Sequence, residues 1–428
     1  MLTLLTVAII GGVCVYGMSP EDRLRLLRTI DTFLRHVVDG ATRSDPDDER
    51  FRAALRARTP WPFVTIGLVT LNVTLFVCLL FGAGRLADSQ TLLAWGGNLG
   101  TRTSNGEWWR LATAMFVHSG IVPLVVNIAM IVYTGPLLER LVGPFAFGGM
   151  YAAAGVLANA AAVLAHPLDL SVGASGAICG EAAVLTTSWV WGLRRASELG
   201  IPRITAKRLA VAGAVFAAYS FANGDLPFVA ELTALFVGLI GGAVLTRRVQ
   251  DATPSPRRVA CVLAGAAVAA VVFAVPVRGM TDVRPEIAHL VALEERTATA
   301  YASAVERVRK GRLATYALAD MIAQTIVPEL EAAETHLNRV GRVPSEQQPL
   351  LADAHEYLRL RTESWHLRAQ GLRKAGRVAP RDLAASYSPA SGAASRSRAE
   401  AQHRASMNTL GRAEGAERAS LEVLQRLR

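Results

Sequence analysis

Ser175 stands in SVGASGAICG (171–180), with glycines on both sides, at the head of an apolar segment. A serine can open a peptide bond when a base accepts its proton and nearby donors hold the developing oxyanion. Gly173 and Gly176 would let the backbone turn tightly and bring amides close to a carbonyl. The same glycines have a plainer use, since Gly176 and Gly180 form a GxxxG face on which another helix can pack. A carboxylate, Glu231, heads a second apolar segment, AELTALFVG (230–238). An ionisable group within a membrane span is usually functional or partnered. A serine–carboxylate pair can move a proton, although the base must also return it to the leaving amine. Asn127 falls about one turn into its own segment if Pro123 is the first helical residue, where its ring is tolerated. That puts its amide at a depth similar to Ser175. A lone asparagine in a span also serves as interhelical hydrogen-bonding glue.

The elements that carry these residues are apolar runs long enough to cross a hydrocarbon core of ~30 Å as helices. They fall at 62–84, 123–138, 144–165, 172–192, 209–223, 228–246 and 259–277, with a shorter uncharged run at Leu2–Tyr16. The last has no basic n-region, so it is expected to be an anchor rather than a cleaved leader. The expected fold is all-α and polytopic. The net charge of +10 is concentrated beside spans: Arg194, Arg195, Arg203, Lys207 and Arg208 in one loop, Arg247, Arg248, Arg257 and Arg258 in another. Basic residues in this setting mark the cytoplasmic face, so no nucleic-acid partner is needed to explain them. With 19–60 also inside, Ser175 and Glu231 both lie near the outer ends of their helices.

The expected organisation is a membrane anchor at 1–18, a cytoplasmic amphipathic segment at 19–60 and a six-helix core at 61–248. An extra spanning helix at 257–277 follows, then an extracytoplasmic helical domain at 278–376 and a linker with a polar terminal segment at 377–428. Within 19–60, Leu24, Leu27, Ile30, Phe33 and Leu34 recur at helical spacing. The segments 285–311, 314–339 and 345–375 read as a hairpin or small three-helix unit, and 400–428 as a frayed helix. All four cysteines lie in apolar runs, so neither a disulfide framework nor a cysteine-based zinc site is expected. The tail histidines (His289, His336, His355, His366, His403) are scattered among charges and read as surface groups. No cofactor or metal is expected.

From Glu107-Trp108-Trp109-Arg110 the motifs continue through MFVHSG (with His118), Asn127, GPLLERLVG (135–143), GASGAICG and AELTALFVG. Their order and spacing resemble the rhomboid family of intramembrane serine proteases over about 190 residues. The resemblance implies a six-helix core with Ser175 as nucleophile, and Asn127 and His118 in the oxyanion pocket. It also implies that Glu231 occupies the position of the histidine base. The register is supported by Ala234, Gly238 and Gly242, and no histidine occurs between 167 and 288. Proline at 123, where histidine is common in the family, cannot donate a hydrogen bond and weakens the pocket. The expected function is a rhomboid-like pseudoprotease of the cell membrane that binds client transmembrane helices. An active endopeptidase using Ser175 with an unconventional base, and an adaptor acting through its tail, are the alternatives.

Overall fold

The computed structural model describes residues 45–83, 88–193, 199–223, 228–247, 253–376 and 393–427. The Leu2–Tyr16 anchor and the stripe Leu24–Leu34 fall outside these residues. Two compact units meet at Arg278 and Gly279.

In the first unit, α1 (Pro46–Arg58) starts on a proline, and the Asp45 carboxylate accepts from the Asp47 amide at 2.9 Å. Its Phe51 and Leu55 are buried in one cluster with Leu137, Leu138 and Leu141. Helix α2 (Phe63–Ala83) leads through the short α3 (Ser89–Ala94), strand β1 (Asn98–Leu99), α4 (Gly100–Thr103) and α5 (Arg110–Thr113) to α6 (Ile121–Val142). Then come α7 (Pro144–Ala165), strand β2 (Leu170–Ser171), α8 (Ser175–Gly192), α9 (Arg203–Asn223), α10 (Phe228–Leu245) and α11 (Pro256–Val277). Five of these, α2, α6, α7, α10 and α11, are long and apolar enough to cross a membrane. Helices α8 and α9 are more polar, carrying Glu181 and a basic first turn respectively, and pack within the same unit. The fold is all-α and polytopic, as the apolar runs require.

Small residues set the closeness of the central helices. A Cβ on Gly176 would stand 2.5 Å from that of Ala158, and one on Gly180 would collide with Ala154. A Cβ on Gly238 would run into the carbonyl oxygen of Gly180. Helix α8 is therefore clasped between α7 and α10, and van der Waals contact replaces the hydrophobic drive that lipid cannot supply.

The second unit comprises α12 (Arg284–Arg309), α13 (Thr315–Met321) continuing through a π turn into α14 (Val327–Leu337), α15 (Gln348–Gly376) and α16 (Ala393–Leu427). Ile287, Leu290, Leu330, Tyr357, Trp365 and Leu424 share its core. The last segment differs from the frayed, polar expectation. It is a 35-residue helix with Ala413, Ser420, Val423 and Leu427 buried. It packs through small groups: the Ser406 hydroxyl donates to Gly371 O at 2.9 Å, and Ser364 donates to Ala413 O at 2.9 Å.

Candidate active site

The loop between α2 and α6 is tied to α7 before it reaches the serine. Asn159 of α7 donates to Leu111 O (2.9 Å), and its Oδ1 accepts from the Ser171 hydroxyl (3.1 Å). Its carbonyl accepts from Asn98 Nδ2 at 3.1 Å, and Asn98 pairs with Ser171 across β1 and β2. Arg110 completes the fastening, with Nε donating to Glu107 Oε2 (2.6 Å) and Nη1 to Gly97 O (2.9 Å). The Arg110 hydrogen bond holds the Glu107 carboxyl below the usual carboxylate range. The Arg110 guanidinium lies 4.5 Å from the centre of the Trp109 ring. These bonds bring Ala114 O within 2.9 Å of the Gly173 amide, which fixes the approach to α8.

Gly173 has φ +112°, a backbone conformation that L side chains rarely adopt. The turn it permits makes Ser175 the first residue of α8. The first amides of a helix have no intrahelical acceptor and point their partial positive charge outward. Ser175, Gly173, Asn127, His118, Pro123 and Tyr219 line one cavity of about 250 Å³. Ser175, Asn127 and His118 are all buried. Asn127 Nδ2 lies 3.0 Å from His118 Nε2, while His118 Nδ1 lies 3.3 Å from Phe116 O. An amide nitrogen can only donate, so Nε2 is the acceptor and Nδ1 carries the proton to Phe116 O. Burial pushes the His118 imidazole down to about 4, which keeps this neutral form at ordinary pH. The cavity thus presents helix-end amides and an asparagine amide to an oxygen placed beside Ser175. That is the donor set an oxyanion or a strained peptide carbonyl requires.

Glu231 is in the first turn of α10 and is not among the residues lining this cavity. Ala234 and Gly238 are buried, which fixes the register of the helix against α8. Among the described residues, neither the Ser175 hydroxyl nor the Glu231 carboxylate has a hydrogen-bond partner. Three of the four expected site residues therefore share a cavity; Glu231 does not join them.

Some local expectations change. Helix α6 begins at Ile121, so Pro123 is its third residue rather than its first. The position tolerates proline because the amide there lacks an intrahelical acceptor. Gly176 lies within α8 against Ala158, so its smallness serves packing and only Gly173 serves the turn. Arg203, Lys207 and Arg208 are helical, on the first two turns of α9, rather than in a loop. GPLLERLVG has a mechanical role that its residue types alone do not show. The fully buried Glu139 accepts from the amides of Val64 (2.9 Å) and Thr65 (2.8 Å) and from the Thr65 hydroxyl (2.8 Å), capping α2. Arg140 beside it donates to Thr59 O at 3.1 Å. A second buried acid, Glu181 in α8, lies 2.8 Å from Thr134 Oγ1. An acid inside an apolar run was the available signal for both.

The rhomboid domain family matches residues 105–248. The putative rhomboid protease YdcA of Bacillus subtilis (strain 168) is 36% identical over 152 residues, 35% of this chain and 71% of that protein. The chain belongs to the rhomboid family. The rhomboid protease GluP of the same organism is 34% identical over 119 residues, covering 28% of this chain and 23% of GluP. Rhomboid-like protease 3 of Toxoplasma gondii is 33% identical over 106 residues, covering 24% of this chain and 40% of that protein. The chain thus spans most of YdcA but less than half of GluP or the Toxoplasma protein. The rhomboid match takes in Glu107 to Arg110, His118, Asn127, Ser175 and Glu231, and stops short of α11 and the second unit.

Proposed function

We propose that this rhomboid is a pseudoprotease of the cell membrane that receives client transmembrane helices at the Ser175 cavity without cutting them. The observation that carries this reading is that Glu231 neither lines the Ser175 cavity nor shares a hydrogen bond with Ser175, and that no imidazole stands at the base position. His118 does not replace the base, since Nε2 is occupied by Asn127 and Nδ1 by Phe116 O. Without a base the hydroxyl keeps its proton, and loss of a triad member removes several orders of magnitude in rate. The donors that remain suit the binding of a peptide carbonyl from a locally unwound client.

A serine-directed fluorophosphonate tests this directly. The full chain is expected to label no faster than its Ser175→Ala variant. Strong labelling abolished by Ser175→Ala would establish the second reading, an active endopeptidase, which the intact donor set of the cavity favours. In the same reading the basic ends of the spans face the cytoplasm and residues 278–428 lie outside it. A reporter fused after Arg428 that is active only in the cytoplasm would overturn that orientation.

A further inference from the structure

At the basic end of the first unit, a second cavity of about 400 Å³ opens between α8 and α9, with α6 behind it. Its walls are largely apolar, including Met130, Leu185, Ile201, Leu209 and Ala210, and its mouth carries Arg203 and Lys207. Neither cation has an acidic or hydrogen-bond partner among the described residues, whereas the neighbouring Arg208 is paired with Asp48 at 3.4 Å. Both cations sit in the first two turns of α9, which contain no acid. Cations there oppose the helix dipole, so the site is poised for an anion. The Trp189 ring adds a further apolar wall to the cavity.

The depth of the cleft is informative. From Arg203 to Gly213 the helix rises about 15 Å, half of a hydrocarbon core of ~30 Å. A ligand entering here meets two positive charges at the headgroup level and an apolar slot reaching to the midplane. We propose that the α8–α9 cleft binds an anionic phospholipid. Its phosphate lies on Arg203 and Lys207, and one acyl chain runs inward along the apolar wall to Gly213. Basic pockets between spans on the cytoplasmic side suit such headgroups.

Native mass spectrometry of the full-length protein, titrated with phosphatidylglycerol or phosphatidylcholine of the same chain length, tests the assignment. Phosphatidylglycerol is expected to bind and phosphatidylcholine to bind much more weakly. The Arg203→Gln/Lys207→Gln variant should lose about 25-fold in affinity for phosphatidylglycerol, from the usual contribution of two cations near the surface. Arg257→Gln/Arg258→Gln, at the start of α11, should leave it unchanged. The slot is tested by Gly213→Leu, because a Cβ there meets nothing within 4 Å and the helix tolerates the added side chain. That variant should weaken phosphatidylglycerol binding with both charges intact. Equal binding of the two lipids, or indifference to the charge variant, overturns the proposal. So does an unaffected Gly213→Leu, which would mean surface attraction without a seated chain. Competition by inorganic phosphate at similar concentrations would make this a soluble-anion site and equally overturn it.

Discussion

Ser175 and Asn127 face the same cavity, and the α10 carboxylate that the proposed reading sets in the place of a base has no hydrogen bond to either. If only the base is lacking, supplying it restores chemistry. Glu231→His in the full chain is expected to raise cleavage of a model transmembrane substrate by at least about 100-fold over the parent, the usual worth of a placed general base. Gel-resolved cleavage, with Glu231→His/Ser175→Ala as the blank, measures it. No gain would mean that the cavity itself has lost its catalytic geometry. The serine was legible in sequence because glycines on both sides and an apolar run after it are a local pattern. The packing of α10 was legible because Ala234, Gly238 and Gly242 form a small-residue stripe, and all three lie against α8. The tautomer of His118 was not legible, since it depends on Phe116 O and Asn127, which the loop brings to it only when folded.

At the scale of elements, the spans are held by two devices, small-residue contacts and buried caps. Gly238→Leu should force α8 from α10 and cost about 1–3 kcal/mol as overpacking. Gly67→Leu, whose Cβ meets nothing within 4 Å, should be close to neutral in the same thermal unfolding series. Glu139→Ala strands two amides and a hydroxyl at the start of α2 and should cost about 3 kcal/mol or more, measured by a folding equilibrium of the full chain in bicelles. The apolar runs announced the spans because length and hydropathy are properties of a single segment. The cap on α2 was hidden because its acceptor lies more than seventy residues away, on α6. The packing of the last helix is hidden in the sequence for a related reason. Ser364, Ser406, Gly371 and Ala413 make its contacts, and small or hydroxyl-bearing residues leave little trace in a hydrophobic pattern.

Considered as a whole, the molecule buries charge differently in its two units, as helix caps in the first and as ion pairs in the second. The second unit buries Arg361, which donates to Glu294 at 2.8 Å through Nε and to Glu417 at 3.0 Å through Nη1. Arg361→Ala leaves the Glu294 carboxylate buried without a cation, held only by the Tyr357 hydroxyl, and should destabilise the unit by about 3–5 kcal/mol. Burial alone would raise the Glu417 carboxyl, but the hydrogen bond from Arg361 and the charge of Arg368 bring it below its ordinary value. Its native-state value is therefore lower than its unfolded one. The stabilisation is complete above the unfolded value, near 4.5, and is lost as pH falls through the native one. Hydrogen exchange of α15 and α16 should accelerate in that acid range and change little from pH 6 to 8; Glu417→Gln should remove the dependence. The membrane unit depends instead on the order in which its pieces arrive. Glu139 reaches the start of α2 from near the end of α6, so the amides of Val64 and Thr65 have no protein acceptor until α6 is in place. During synthesis, the first core span waits for the second: the ribosome must deliver residue 139 before residue 64 can be finished.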